Sequence, residues 1–351
     1  MSTAFNPISR EPAASGSSAA VVAPRKNRWR ETVRLREVDS RGLRKNSPRG
    51  FPEATFTHKL VMSLAVGLPF AGAIAAAALL WQWGFMGWLY VGLLVVGWLL
   101  TGSGITIGFH RLLTHRSFET HRWVRWTFMA LGALSVEGSP LVWCAIHRRH
   151  HELSDQPGDP HSPHLHGGGV LNTLRGLWHA QTGWLFTGYW THPELDHYVP
   201  DLLADPALVL VDRLYYLWVV TSLFIPTFLG GLVTGSWKGA LLGLLWGGLV
   251  RIFITHHITW SINSVCHVFG SREFEAHDES RNNWLCGVLG LGEGWHNTHH
   301  AFPTSARHGL AWWQLDVSWL IIRAMQVVGL AWNVRLPSER MIAEKRLVAR
   351  S

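Results

Sequence analysis

Four stretches of the chain stay apolar long enough to cross a bilayer, which takes about 20 helical residues. Residues 60–80 and 85–109 carry no charge, and residues 214–233 carry none while placing Pro226 where a kink is expected. Residues 239–262 are interrupted by Arg251, a position at which a charged side chain snorkels or faces the protein interior. A fifth apolar stretch, 126–146, is broken by Glu137, Gly138, Ser139 and Pro140, and is expected to lie at the interface or re-enter rather than span. The pattern predicts an all-α integral membrane protein with spans near 60–80, 85–109, 214–233 and 239–262. It also predicts a basic, disordered arm over 1–55, a membrane domain over 56–315, and a cytosolic C-terminal segment over 316–351.

Composition agrees with a membrane location. Only 15% of residues are charged, against about a quarter in a soluble domain, and there are 21 Trp. Residues 1–59 hold twelve Lys and Arg, whereas the short turns after the first and third spans hold one between them. By the bias of basic loops, both termini and the long middle segment are expected on the cytoplasmic side of the cell membrane. The run 25–49 suits either anionic headgroups or water. The N-terminus lacks the basic start and apolar core of a signal peptide. Three cysteines with no Cys-x-x-Cys spacing exclude a disulfide framework and a thiolate metal site.

Histidine is the enriched metal-capable residue, at 21. Three clusters stand out: His110-Arg-Leu-Leu-Thr-His115, His147-Arg-Arg-His150-His151 and His296-Asn-Thr-His299-His300. On a helix, positions i, i+3 and i+4 share one face, so each H-x2-H-H is expected to aim three imidazoles at one point. His110 and His115 are about 140° apart on an ideal helix, which predicts a helix end or kink between them. Eight histidines suit two ions rather than one, and imidazole binds Zn, Cu, Fe and Ni. One metal centre needs all clusters on one side of the membrane, hence an even number of spans between the second and third. This parity is what makes 239–262 the fourth span. His58, His121, His179, His192, His197 and His308 have no such spacing and are expected to be ordinary core or surface residues. His256 and His257, within the fourth span, lack a spacing partner.

At these residues the chain resembles the integral-membrane fatty-acid desaturases of the stearoyl-CoA (Δ9) type, over roughly 56–315. The flanks carry the resemblance as much as the boxes: Ser154-Asp155 and Asp159-Pro-His161 after the second cluster, and Gly292-Glu293-Gly-Trp before the third with Ala-Phe-Pro303 after it. Thr259-Trp260-Ser-Ile-Asn263-Ser264-Val-Cys-His267 is similar to the family's fourth-span exit. The resemblance implies four spans under a cytosolic helical cap. It implies two Fe2+ ions on His110, His115, His147, His150, His151, His267, His296, His299 and His300, with Asn263 reaching one ion through water.

The implied activity is O2-dependent desaturation of a saturated acyl chain held in a bent tunnel, giving a cis double bond at Δ9. Trp143, Trp260 and Trp295 are candidate tunnel walls. Asp155, Asp159, Glu137 and Glu293 are the candidate partners for the metal-bound rings, Asp159 and Glu293 foremost. In the animal enzymes an Arg-Asp pair precedes the second cluster and touches CoA; here those positions are Ala145-Ile146. The acyl carrier is therefore open between CoA and a membrane lipid. Arg148, Arg149, Arg175 and the N-terminal run offer a basic surface for CoA phosphates or an acidic electron carrier. Residues 312–330 read as one amphipathic segment, and no cytochrome b5-like domain follows the third cluster, so a separate donor is implied, whether cytochrome b5-like, ferredoxin or reductase. Nucleic acid is not an expected partner. The alternatives are a lipid hydroxylase of the same superfamily and a membrane metal transporter. A transporter would place polar residues at mid-bilayer, whereas these clusters gather at one face.

Overall fold

The structure, a computed structural model, describes residues 53–191 and 195–347; the basic arm up to residue 52, His192 and residues 348–351 lie outside it. Helix α1 (Phe56–Trp83) opens on Thr55, whose hydroxyl accepts from the His58 N–H at 3.2 Å, and closes on Gly84 at φ 74°. Helix α2 (Trp88–Thr114) begins as an α-helix and ends in eleven π-wound residues, Gly104–Thr114. After the two-residue strand β1 (Glu119–Thr120) come α3 (Arg122–Ala133), α4 (Pro140–Leu153) and α5 (Val170–Gln181). Helix α6 (Pro206–Arg213), capped by Asp205, leads into α7 (Tyr215–Thr234) and α8 (Trp237–His267). Two short helices, α9 (Trp284–Leu289) and α10 (His296–Ala301), precede α11 (Val317–Val327) and the strand β2 (Ala331–Trp332).

Helices α1, α2, α7 and α8 are long and apolar enough to cross a membrane. In α1 and α7 only 17% of the most apolar stretch is buried, so both turn their apolar surface to lipid. In α8 the buried share is 56%, because this helix forms the centre. Without a hydrophobic drive in lipid, helices pack through small residues. A Cβ on Gly104 would lie 2.1 Å from the Gly132 nitrogen of α3. One on Gly243 would lie 2.1 Å from the Pro226 oxygen of α7.

Arg251 faces inward. It is 2% exposed and donates to the Leu134 carbonyl at 3.1 Å, the Ser222 hydroxyl at 2.5 Å and the Gly247 carbonyl at 3.3 Å. The 126–146 stretch does not span. Helix α3 stops at Ala133, the chain turns with Val136 at φ 67° and Gly138 at φ 112°, and α4 restarts at Pro140. β1 and β2 pair antiparallel, Glu119 opposite Trp332, and tie the C-terminal segment to the loop after α2.

Candidate metal centre

The π turn at the end of α2 is where the site begins. In a π-helix the bonds run i→i+5, which brings residues five apart onto one face. The His115 N–H donates to the His110 carbonyl at 3.1 Å, and the two rings sit 4.8 Å apart. The pair does lie at the helix end, but π winding, rather than a kink, aligns it.

The nine imidazoles gather into two groups, with ligand atoms within 4.8 Å of one another in each: His110, His115, His147, His151 and His299, and then His150, His267, His296 and His300. The three rings of an H-x2-H-H do not share a point, contrary to the expectation from spacing. At 100° per residue, positions i and i+4 stand 40° apart while i+3 stands 100° from i+4. Thus His147 and His151 face one group and His150 the other, and α10 mirrors this with His296 and His300 against His299. Each cluster bridges both groups.

The donor set fits two metal ions. Within the first group Nε2 atoms face one another at 2.9–3.2 Å: His299 meets both His110 and His151, and His147 meets both His115 and His151. One ring hydrogen cannot serve two such contacts, so lone pairs converge there. Four rings are oriented from behind by carboxylates. His110 Nδ1 meets Glu293 at 2.6 Å, His150 Nδ1 meets Asp159 at 3.0 Å, His267 Nδ1 meets Asp155 at 2.8 Å and His300 Nδ1 meets Asp278 at 2.5 Å. A carboxylate on Nδ1 holds the proton there and leaves Nε2 free to ligate. Among the described residues, the Nε2 atoms of His150 and His300 are buried without a hydrogen-bond partner. Burial first, then crowding by neighbouring imidazoles, holds His115, His147, His151, His296, His299 and His300 well below the ordinary histidine range, so all are neutral at pH 7. Burial alone would raise the Asp159 and Glu293 carboxyls; the paired imidazoles, and Arg111 for Glu293, outweigh it and keep both below their usual values.

A cavity abuts both groups, touching His110, His147 and His296. Trp143 and Trp260 line it, with Trp98, Trp184 and Trp190. Trp98 and Thr255, each twelve residues before His110 or His267 on their helices, also line it, so the cavity extends from the metal groups into the spans. Asn263, one turn before His267 on α8, also lines it. Trp295 does not. It precedes α10, turns towards the C-terminal segment, donates to the Leu315 carbonyl at 2.8 Å and meets Trp313 edge-on. Glu137 lines the cavity without touching a ligand ring; its carboxyl lies near Thr259 and Trp143, and among the described residues its Oε1 is buried without a hydrogen-bond partner. Burial pushes its carboxyl up to about 8, against the pull of Thr259, Trp143 and the Arg251 charge.

Several functional residues escaped the spacing argument. Asp278 and Arg111 support the rings, Asp316 holds Arg111, and His308 is fully buried with its ring 4.5 Å from His299. His161 lies 4.4 Å from His150. Arg111 had a signal in its place inside the first cluster, and His161 in the flank of the second; the others had none. His58, His179 and His256 bond backbone carbonyls and are structural. Of the expected basic surface, the N-terminal run lies outside the described residues, Arg148 is committed to Asp201 at 2.6 Å and Arg149 is buried against the Gly158 carbonyl, because both point into the cap; of the three arginines only Arg175 is exposed.

Comparison with known proteins agrees with this geometry. The family model described as fatty acid desaturase matches residues 86–332. The chain is 44% identical over 282 residues to a hex-5-enoyl-[acyl-carrier protein] acetylenase of Moorena producens (strain JHB), covering 80% of this chain and 87% of the relative. It is 38% identical to the sn-1 stearoyl-lipid 9-desaturase of Anabaena variabilis, over 68% of this chain and 81% of that one. It is 40% identical to the Delta-9 acyl-lipid desaturase 1 of Arabidopsis thaliana, over 68% and 72%. Four apolar spans, two histidine groups beside a deep apolar cavity and these relatives lead to one conclusion: the chain belongs to the fatty acid desaturase family of oxidoreductases.

Proposed function

We propose that this chain places a cis double bond at carbon 9 of a saturated acyl chain carried on a membrane lipid. It uses O2, two iron ions held by His110, His115, His147, His150, His151, His267, His296, His299 and His300, and electrons from a separate donor protein. The observation that carries this reading is the apolar cavity ending on both histidine groups. Iron bound there would supply the redox chemistry with O2 that breaking an unactivated C–H bond requires and zinc lacks. The protein contributes position. Trp143 and Trp260 confine the chain beside His110 and His147, and a one-carbon slip would change the product. Asn263, four residues before His267 and lining the cavity, would meet one ion through water.

A lipid carrier is favoured over CoA by charge. Ala145 and Ile146 are buried and apolar, and neither Arg148 nor Arg149 is free to bind a phosphate. Two of the relatives are named for lipid substrates, and the acetylenase for an acyl-carrier protein. The metal groups and both termini are assigned to the cytoplasmic side of the cell membrane. The test is expression in a desaturase-deficient host, with double bonds mapped in the phospholipid and CoA pools. Δ9 monoenes appearing first in phospholipid are expected. Hydroxylated chains would favour the hydroxylase alternative, and monoenes appearing first in the CoA pool would overturn the lipid assignment.

A further inference from the structure

The two histidine groups are supported unequally. Among the described residues, three of the four rings in the second group have a carboxylate on Nδ1, while in the first group only His110 does. That single carboxylate, Glu293, is itself held. Its Oε1 forms an ion pair with Arg111 Nη1 at 2.8 Å while its Oε2 meets His110 at 2.6 Å.

Arg111 is fully buried, and its other amino group meets Asp316 at 3.1 Å and His308 Nδ1 at 2.9 Å. Asp316 has no freedom to turn. Its Oδ2 accepts from the His308 N–H at 2.8 Å and the Gly309 N–H at 3.3 Å, and its Oδ1 accepts from the Trp319 N–H at 2.9 Å. The loop beside Glu293 is shaped for this approach. Gly292 sits at φ 110°, and a Cβ there would lie 2.2 Å from Asp316 Oδ1. Ser318 ties the same segment to the Leu291 carbonyl at 3.0 Å and to Thr106 of α2 at 2.7 Å.

We propose that Asp316 is a positioning residue for the five-histidine group: through Arg111 and Glu293 it orients His110, and so sets the metal affinity of that group and not of the other. The inference rests on the two-ion reading of the centre. The physical reason is competition. Arg111 now divides its donors between two carboxylates; without the Asp316 charge, both would turn to Glu293 and take Oε2 from His110. His110 would lose the acceptor that fixes its tautomer. Loss of such a supporting partner costs about 10–100-fold in metal affinity.

The test uses the full chain, purified, loaded with Fe2+ and dialysed against graded chelator, with retained iron counted by mass spectrometry. Asp316→Asn keeps the helix cap, since Asn caps as well as Asp. It should release one ion at about tenfold lower chelator than wild type while holding the second unchanged. Asp278→Asn should loosen the other ion, and the double variant should lose both early. Should Asp316→Asn fail to accumulate, Arg111→Lys is expected to show the same selective release. Both ions leaving together from Asp316→Asn, an unchanged release curve, or a double variant that still holds one ion as wild type does would each overturn the proposal. Wild-type protein holding fewer than two ions would sink the two-ion reading itself, and this inference with it.

Discussion

Glu137 is the polar residue the cavity treats most severely. A carboxyl buried there and pushed up to about 8 is protonated at neutral pH, so it serves as a neutral hydrogen-bonding group. The folded state then binds a proton that the unfolded chain releases between about 4.5 and about 8. Stability therefore falls as pH rises through that window, the reverse of a salt-bridged carboxylate. Glu137→Gln, neutral at every pH, should melt close to wild type at pH 5 and above it at pH 9, as read by thermal unfolding in detergent. A constant difference across that range would show that the carboxyl does not titrate there. Eight of the nine imidazoles were legible because spacing within a helix is local; His267 was legible only through the resemblance at the end of the fourth span. Their division was not, because it depends on the 40° and 100° offsets that the rule of one shared face blurs together. Asp278 and Asp316 were invisible for another reason: each meets its partner 22 or 205 residues away, and no local pattern marks such contacts.

Elements align these residues, and the end of α2 does the most. Its π turn points His110 and His115 the same way, and it can do so because glycine lets α3 press against it. Gly104→Leu would force side-chain atoms into the Leu131–Gly132 backbone, where even a Cβ would lie at 2.1 Å. Overpacking of this kind costs roughly 1–3 kcal/mol or more. The variant should lose thermal stability and, with α2 displaced, bound iron. Gly67→Ala on α1, where a Cβ meets nothing within 4 Å, should change neither. Equal effects from the two substitutions would mean that the α2–α3 contact does not position the centre. Sequence located three spans because hydropathy suffices for them, the fourth only with the parity of the histidine clusters, and the break at residues 137–140 because Gly and Pro punctuate it. It could not foresee π winding, since an i→i+5 ladder has no compositional mark.

On the scale of the whole molecule, parity and chemistry constrain each other. His110 closes α2 and His267 closes α8, and both even-numbered spans must end on the same side for the rings to meet. The turns at residues 84–87 and 235–236 then belong to the opposite side. The protein suits a direct test, because Cys144, Cys266 and Cys286 are all buried and give little background to a thiol reagent. Ser236, exposed between α7 and α8, and Ser271, exposed on the cap after α8, are the two probes. In intact cells a membrane-impermeant maleimide should label Ser236→Cys at once and Ser271→Cys only after permeabilisation. The reverse order would keep the four spans but invert the cytoplasmic assignment. Labelling of both from outside would place residues 236 and 271 on one face, and α8 could not then be a span. The histidines of α10 would be parted from His110 by the bilayer, and no shared metal centre could form.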